Sequence, residues 1–341
     1  MTIATTLSRR LAAATLCVAA LAALTAAPAH AAFTSLTVFG DSLSDSGNNA
    51  LLIGANGGQV ITGNTYIPTQ PYAFGAYTNQ SVWVNAYAAG LGLPTGAVPS
   101  LAGGGDYAFG GARTTASGAG PGGFPFSATT QLGQFLATPG ALPASALFVI
   151  AIGGNDVRST AEAVAADPAN AFAIIGAGAA SFATGVGAMV DSLQARGAQN
   201  IVVWGAPDVG RSPFAIATNT VAGATAISNA FNSALALRLA GEAGVTPFDI
   251  ASLVGTVASN PGAFGLTNVT DACGAIIGCN PSQYLFWDAI HPTSAGHALI
   301  ASAMLAAVPE PASVMLMLGG LVAVVVSARR RAAARPASTA R

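Results

Sequence analysis

The stretch from Leu36 to Asn48 reads Leu-Thr-Val-Phe-Gly-Asp-Ser-Leu-Ser-Asp-Ser-Gly-Asn. A short apolar, β-prone run ends in Gly-Asp-Ser, and small polar residues separate it from the apolar residues 50–53. This pattern predicts a strand, a tight turn and the start of a helix, with Ser42 in the turn. Open α/β sheets bind ligands at the carboxyl edge of their strands, so the Ser42 hydroxyl is predicted to lie where a ligand can reach it.

A serine hydroxyl becomes reactive when a base accepts its proton, and the sequence offers few candidates for that base. After residue 31 the chain contains two histidines. His297 lies inside the predicted last helix and is interpreted as a helix-surface or packing residue. His291 lies in a loop, three positions after Asp288, so one turn of irregular chain can place that carboxylate against the imidazole. The sequence therefore predicts a group of Ser42, His291 and Asp288; the alternative is a solvated loop histidine beside a helix cap.

Apolar runs and helix-forming segments alternate along the rest of the chain. This alternation predicts an α/β fold with a parallel sheet and helices on both of its faces. The Gly-, Asn- and Tyr-rich stretch 54–75 is interpreted as a loop over the sheet edge and a candidate substrate wall. We predict further strands at residues 146–152, 200–204 and 245–249, and helices at residues 81–91, 130–137, 169–196, 222–241 and 294–307.

Four sequence blocks follow one another in a characteristic order. They are Phe39-Gly-Asp-Ser-Leu-Ser-Asp45, Tyr107-Ala-Phe-Gly-Gly-Ala112, Gly153-Gly-Asn-Asp156 and Asp288-Ala-Ile-His-Pro292. Together the blocks resemble those of the GDSL, or SGNH-hydrolase, lipases and esterases, and they extend over essentially the whole domain. The resemblance implies a three-layer sandwich of the flavodoxin-like type, with helices flanking a central, mostly parallel five-stranded sheet.

The same resemblance implies a chemical role for each of the three residues. Ser42 would be the nucleophile, His291 the base, and Asp288 the group that orients the base. The implied activity is hydrolysis of carboxylic esters through an acyl-enzyme, without a cofactor or a metal. One alternative within the fold is a carbohydrate O-acetyl esterase, and another class altogether is a non-catalytic envelope protein.

An oxyanion hole is also implied by the resemblance. Its donors would be the Ser42 amide, the side chain of Asn155 and one glycine amide of the second block. We assign that glycine to Gly110, with Gly111 as the alternative. Asp106 occupies a position where similar sequences usually carry Asn, and its role stays open at this stage.

Residues 1–31 have the pattern of a secretory signal peptide. Arg9 and Arg10 precede an apolar run, and Ala29-His-Ala31 is a small-x-small cleavage site. A membrane anchor is the alternative, although the run is short for a transmembrane span. The sequence therefore predicts export through the inner membrane.

The chain ends in a second processing segment, residues 308–341. Pro309-Glu-Pro311 precedes an apolar run, a predicted transmembrane segment at about 313–327, and then the cluster Arg329–Arg331. This order resembles a PEP-CTERM sorting tail, which implies transient membrane anchoring, an exosortase as partner, and a final location in the cell envelope or outside the cell. A plain carboxyl-terminal anchor is the alternative.

Residues 32–307 remain as one predicted hydrolase domain. They contain five arginines, no lysine and twelve acidic residues, so their net charge is near −7. Nucleic-acid binding needs clustered cations, and this composition argues against it. Cys273 and Cys279 are predicted to form a disulfide in an oxidising compartment, and to brace the segment that presents Asp288 and His291.

Overall fold

Four parallel strands form the central sheet, in the order β1-β2-β3-β4. The protein is described here by a computed structural model over residues 33–53, 72–73 and 75–307, with residues 321, 324 and 325. The signal peptide, most of the predicted loop 54–75 and nearly all of the predicted tail 308–341, including its apolar run, lie outside the described residues. The strands of the two sheets are β1 (Ser35–Gly40), β2 (Ala146–Ala151), β3 (Asn200–Trp204), β4 (Val245–Phe248), β5 (Asn268–Ala272) and β6 (Tyr284–Phe286).

Nine α-helices occur among residues 33–53 and 75–307. They are α1 (Asn48–Ile53), α2 (Trp83–Gly90), α3 (Ala128–Leu136), α4 (Gly154–Ala166), α5 (Ala171–Ala195), α6 (Pro213–Ala217), α7 (Val221–Arg238), α8 (Ile250–Ser259) and α9 (Ser294–Ala307).

The helices cover both faces of the sheet, as predicted. Side chains of α3, α4, α5 and α7 pack against Phe39, Phe148 and Val203 on one face. Side chains of α2, α8 and α9 pack against the opposite face, around Val38 and Trp204. β2 is buried at every position, because a parallel strand in the middle of a three-layer fold has no solvent-facing side.

The prediction of five strands in this sheet is wrong for the described residues, which contribute four. The fifth position is nevertheless occupied. The segment Gly105–Phe109 runs alongside β1, and the Tyr107 amide donates to the Val38 carbonyl at 2.8 Å. The Val38 amide donates in turn to the Gly105 carbonyl at 2.9 Å. Asp106 forms one bridge with Val38 of β1 and another with Pro99, in the turn before this segment. The segment therefore pairs with β1 through a single bridge and not through a regular strand ladder.

Because of this segment, successive parts of the chain are added on opposite sides of β1, so β1 is the switch point of the sheet topology. Gly105–Phe109 lies on one side of β1, and β2 pairs with β1 on the other side. The resulting spatial order is the flavodoxin-like order, in which ligands bind at the carboxyl end of the strands beside the switch point. Ser42 follows β1 at that position.

The longest helix belongs to the core of the domain. Among the described helices, the one over Pro168–Ala195 is long and apolar enough to cross a membrane by length and composition alone. Its side chains Phe182, Val186 and Leu193 are buried in the core. Residues Phe33–Val308 form one compact unit, whereas the unit made of residues 1–32 and 309–341 contains three described residues, which are helical.

Candidate active site

The turn after β1 presents Ser42 at the sheet edge. The Asp41 carbonyl accepts hydrogen bonds from the Ser44 amide at 3.0 Å and the Asp45 amide at 2.9 Å. Oδ1 of the Asp41 side chain accepts a third hydrogen bond, from the Leu43 amide at 3.0 Å. These bonds close the turn around Ser42 and fix the direction of its side chain.

Ser42, His291 and Asp288 form a continuous hydrogen-bonded chain. Ser42 Oγ lies 2.8 Å from His291 Nε2, and His291 Nδ1 lies 2.6 Å from Asp288 Oδ2. All three side chains are buried, and that of Asp288 is fully buried. The arrangement lets the imidazole accept the serine proton while the carboxylate holds its opposite nitrogen.

Several donors stabilise the ionised form of Asp288. Its Oδ1 accepts hydrogen bonds from the amides of Ile290 at 2.7 Å and His291 at 2.6 Å. Its Oδ2 accepts a hydrogen bond from the Tyr72 hydroxyl at 2.5 Å. Burial raises the pKa of Asp288, but the nearby His291 and these hydrogen bonds outweigh that effect, so its pKa lies below the ordinary value. Asp288 is therefore held as an anion beside the imidazole.

Residues 72, 73 and 75–79 support, from a second side, the loop 287–293 that carries Asp288 and His291, which we name the catalytic loop. The Tyr77 ring stacks on the His291 ring with centroids 5.4 Å apart. Thr78 Oγ1 donates to the Pro292 carbonyl at 2.8 Å, and the Ser294 amide donates to Asn79 Oδ1 at 2.7 Å. Tyr72 belongs to the stretch 54–75 that the sequence predicts as a loop and candidate substrate wall. The contacts of residues 72–79 with the loop around His291 were not predicted, because no local pattern indicates a pairing with residues more than 200 positions away.

The expected oxyanion donor Gly110 requires a correction. Its amide donates to Asp45 Oδ2 at 2.9 Å, so a carboxylate already occupies the hydrogen that an oxyanion would need. The Asn155 side-chain amide donates one hydrogen to the Ala112 carbonyl, at 2.9 Å. Its second hydrogen has no acceptor among the described residues. The backbone amides of Ser42 and Gly111 have no acceptor among the residues that the structure describes.

Asp106 connects two backbone segments through hydrogen bonds. It is fully buried, and it accepts hydrogen bonds from the amides of Ser46 at 2.9 Å and Ala108 at 3.0 Å. Burial raises the pKa of Asp106 well above its ordinary value. The carboxyl group thereby joins the turn after β1 to the segment Gly105–Phe109, which answers the question that the sequence left open.

An apolar cavity of about 530 Å³ opens beside Ser42 and His291. Its polar lining residues include Asn155 and Arg158, which both belong to α4. Its apolar walls come from α4, α6 and α7, from the turn just before α6 and from residues around the catalytic loop. They include Ala161, Val209, Ala215, Ala224, Ile227 and Phe286. The cavity volume lies in the usual range for small-molecule sites.

A disulfide joins Cys273 to Cys279, with the two Cα atoms 5.6 Å apart. Cys273 packs with Trp287 and Tyr72 in a small buried cluster. The Gly274 amide also donates to the Trp287 carbonyl at 2.7 Å. The disulfide loop thus contacts the residue immediately before Asp288.

The second histidine lies apart from this chemistry. His297 is buried in α9, and neither of its ring nitrogens has a hydrogen-bond partner among the described residues. Burial lowers the pKa of His297 to about 3, so its ring is neutral at ordinary pH. Within the described part of the chain, no three His, Cys, Asp or Glu side chains are grouped so as to hold a metal ion.

Comparison with known proteins identifies the family. Residues 36–304 match the family model described as GDSL-like Lipase/Acylhydrolase, and residues 307–331 match the PEP-CTERM protein-sorting motif. Esterase EstA of Pseudomonas aeruginosa and Esterase EstA of Pseudomonas putida are each 30% identical to the chain over 326 residues. Each alignment covers 82% of this chain and 48% of the relative, so the chain spans about half the length of these curated relatives.

Two solved structures are also similar. One is Est24, described as a carbohydrate acetylesterase from Sinorhizobium meliloti, with 17% identity, coverage of 80% of this chain and 96% of that chain, and a TM-score of 0.43. The other is LAE5, described as an alpha/beta hydrolase enzyme from the metagenome of Lake Arreo in Spain, with 16% identity, coverage of 82% and 95%, and a TM-score of 0.43. From the family match over residues 36–304, the chain belongs to the GDSL-like lipase/acylhydrolase family, and it carries a PEP-CTERM sorting motif.

Proposed function

We propose that this protein is an exported serine hydrolase that cleaves carboxylic esters through an acyl-enzyme. The observation that carries the proposal is the hydrogen-bonded chain from Ser42 through His291 to Asp288, at 2.8 and 2.6 Å, beside an apolar cavity. Family membership supports the same reading, since the matched family comprises lipases and acylhydrolases.

The reaction follows from these contacts. Ser42 Oγ attacks the ester carbonyl carbon while His291 Nε2 accepts the hydroxyl proton. The tetrahedral intermediate collapses, His291 returns the proton to the departing alkoxide, and the acyl group stays on Ser42. A water molecule then repeats the sequence: His291 takes its proton, its oxygen attacks the acyl carbon, and the carboxylic acid leaves as Ser42 regains its proton. Asp288 stabilises the imidazolium in both halves.

The negative charge of the tetrahedral intermediate needs hydrogen-bond donors near Ser42. We assign that task to the Ser42 amide and the remaining amide hydrogen of Asn155, with Gly111 in place of Gly110. The glycine changes because the Gly110 amide is bound to Asp45. One such donor contributes about 3 kcal/mol in comparable acyl-transfer sites.

The apolar cavity favours acyl chains longer than acetyl. An acetyl group would leave most of a 530 Å³ apolar space unfilled, whereas each methylene buried in it contributes about 0.8 kcal/mol. The specificity constant kcat/KM should therefore rise up to about fourfold per methylene until the cavity is filled.

The test is an acyl-length series of p-nitrophenyl esters, from acetate to decanoate, with acetylated xylan as a second substrate. Ser42→Ala should abolish turnover and preserve the fold, and the matched control Ser233→Ala replaces an exposed serine on α7.

Ala224→Phe should reduce hydrolysis of the longer esters and spare acetate, whereas Ala222→Phe on the exposed side of the same helix should change neither. A preference for acetyl xylan would instead favour a carbohydrate O-acetyl esterase. Hydrolysis unaffected by Ser42→Ala would refute the site.

We also propose that the tail is processed after export, with an exosortase cleaving near Pro309-Glu-Pro311 and releasing a transiently anchored domain. The match of residues 307–331 to the sorting motif supports this proposal. Mass spectrometry of the protein from its native host measures both termini. An intact tail in the mature protein would favour a plain membrane anchor.

A further inference from the structure

We infer that Tyr72 is a positioning residue for the catalytic carboxylate: its hydroxyl orients Asp288 Oδ2 toward His291 and limits the negative charge that this oxygen presents. The inference rests on the proposed function, because it assigns Tyr72 a part in the same reaction. Neither the four sequence blocks nor the spacing of the catalytic residues indicates such a role.

Two donors share one oxygen of Asp288. The Tyr72 hydroxyl lies 2.5 Å from Asp288 Oδ2, and His291 Nδ1 lies 2.6 Å from the same atom. The other oxygen, Oδ1, accepts two backbone amides of its own loop. Among the residues that the structure describes, Tyr72 is therefore the donor from outside the loop that fixes how Oδ2 faces the imidazole. It also draws charge away from the oxygen that His291 contacts.

The phenol donates to the carboxylate at neutral pH. Burial and the charge of Asp288 raise the pKa of Tyr72 far above its ordinary value, so the hydroxyl keeps its proton there. Asp288, by contrast, has a lowered pKa and remains an acceptor. The hydrogen bond thus has one polarity, from the phenol to the carboxylate.

Packing holds the Tyr72 ring in place for this task. The side chain is 6% exposed and contacts Cys273 and Trp287 in the buried cluster behind Asp288. Further along the same segment, Thr78 bonds to the Pro292 carbonyl. The segment is therefore attached to the catalytic loop both before and after His291, which leaves the phenol little freedom to move away.

The test is Tyr72→Phe in the full-length protein, because phenylalanine fills the same space and removes only the hydroxyl. We expect kcat for p-nitrophenyl butyrate to fall about tenfold with little change in KM, since an oriented base matters in the transition state. We also expect the acid limb of the kcat/KM profile to move to higher pH. A carboxylate that has lost one donor presents more negative charge to the imidazolium and stabilises it.

The matched control is Tyr87→Phe. Tyr87 is fully buried in α2, and its hydroxyl has no hydrogen-bond partner among the described residues, so this change should leave both kcat and the pH profile unaltered. If Tyr72→Phe only reduced the amount of folded protein, the rate would fall by the same factor at every pH and the acid limb would stay in place. An unmoved limb therefore overturns the inference whether or not the rate falls. Ser42→Ala separates the two proposals: if it is inactive while Tyr72→Phe matches the wild type, the positioning role alone fails.

Discussion

The side-chain amide of Gln131 pairs with both backbone polar groups of Gly40. Gln131 Oε1 accepts from the Gly40 amide at 2.9 Å, and Gln131 Nε2 donates to the Gly40 carbonyl at 2.8 Å. Gly40 is the last residue of β1, two positions before Ser42. A buried side chain on α3 thus completes the hydrogen bonding of the strand end from which the catalytic turn starts.

Gln131→Leu should destabilise the protein by about 2 kcal/mol, because it leaves the buried Gly40 amide without an acceptor. The Gly40 carbonyl keeps a bond from the Phe109 amide, whereas the half-buried Phe126 carbonyl also loses the bond that Gln131 Nε2 donates at 3.0 Å. Urea unfolding measures the change. Gln134→Leu, on the exposed side of the same helix, is the control and should stay within about 0.5 kcal/mol of the wild type. Equal stabilities for the two variants would contradict the role of Gln131.

Asn155→Ala should lower kcat by about 10²–10³ and change KM little, since an oxyanion donor acts on the charge that develops during reaction. The fold should survive, because the Asn155 side chain makes a single described hydrogen bond, to Ala112. Steady-state kinetics with p-nitrophenyl butyrate checks the prediction. Asn170→Ala, at an exposed helix junction away from the cavity, serves as the control. A change confined to KM would place Asn155 in substrate binding instead.

Asp41→Asn should stabilise the protein more at high pH than at low pH. Burial raises the pKa of Asp41 to about 7, above the unfolded value of 3.8, so the folded state holds a proton that the unfolded state releases. The stability tied to this group is complete below the unfolded pKa and is lost as pH rises from about 4 to about 7. The difference in unfolding free energy between the variant and the wild type should therefore increase by about 3 kcal/mol, in favour of the variant, from about pH 5 to about pH 8.

Urea unfolding at those two pH values tests the sign. Asp271→Asn removes an exposed carboxyl and is the control. The pH-dependent gain should be confined to position 41, and a gain that is larger at low pH would reverse the argument.

Replacing Cys273 and Cys279 together by Ser should lower the stability by about 2 kcal/mol, because the crosslink restricts the unfolded chain over a short loop. The melting temperature should fall by about 5 °C. The rate of ester hydrolysis should fall as well, because Cys273 packs on Trp287, which directly precedes Asp288. Calorimetry and ester hydrolysis, with and without a reducing agent, measure both effects. A reductant that slows the double variant as much as the wild type would show that the effect comes from elsewhere.

Local patterns predicted most of the elements because they are local. The apolar run over 146–152 and the apolar segment over 294–307 gave β2 and α9 close to their observed bounds, because each element is formed by residues that are neighbours in the sequence. The helix α8 and the small sheet of β5 and β6 were missed. Their segments are short, and no residue of β5 is fully buried, so its sequence shows no clear alternation of apolar and polar residues.

Sequence by itself determined the family, the order of the four blocks and the identity of the three residues proposed for catalysis, because reactive side chains are few and two histidines leave little choice. Tertiary structure alone decided which amides stay free and which groups hold the catalytic loop. Gly110 and Gly111 are equivalent in the sequence, and only the approach of Asp45 separates them. Tyr72 meets Asp288 across 216 positions of sequence, and such a contact depends on how packed layers bring distant segments together, which no nearest-neighbour pattern records.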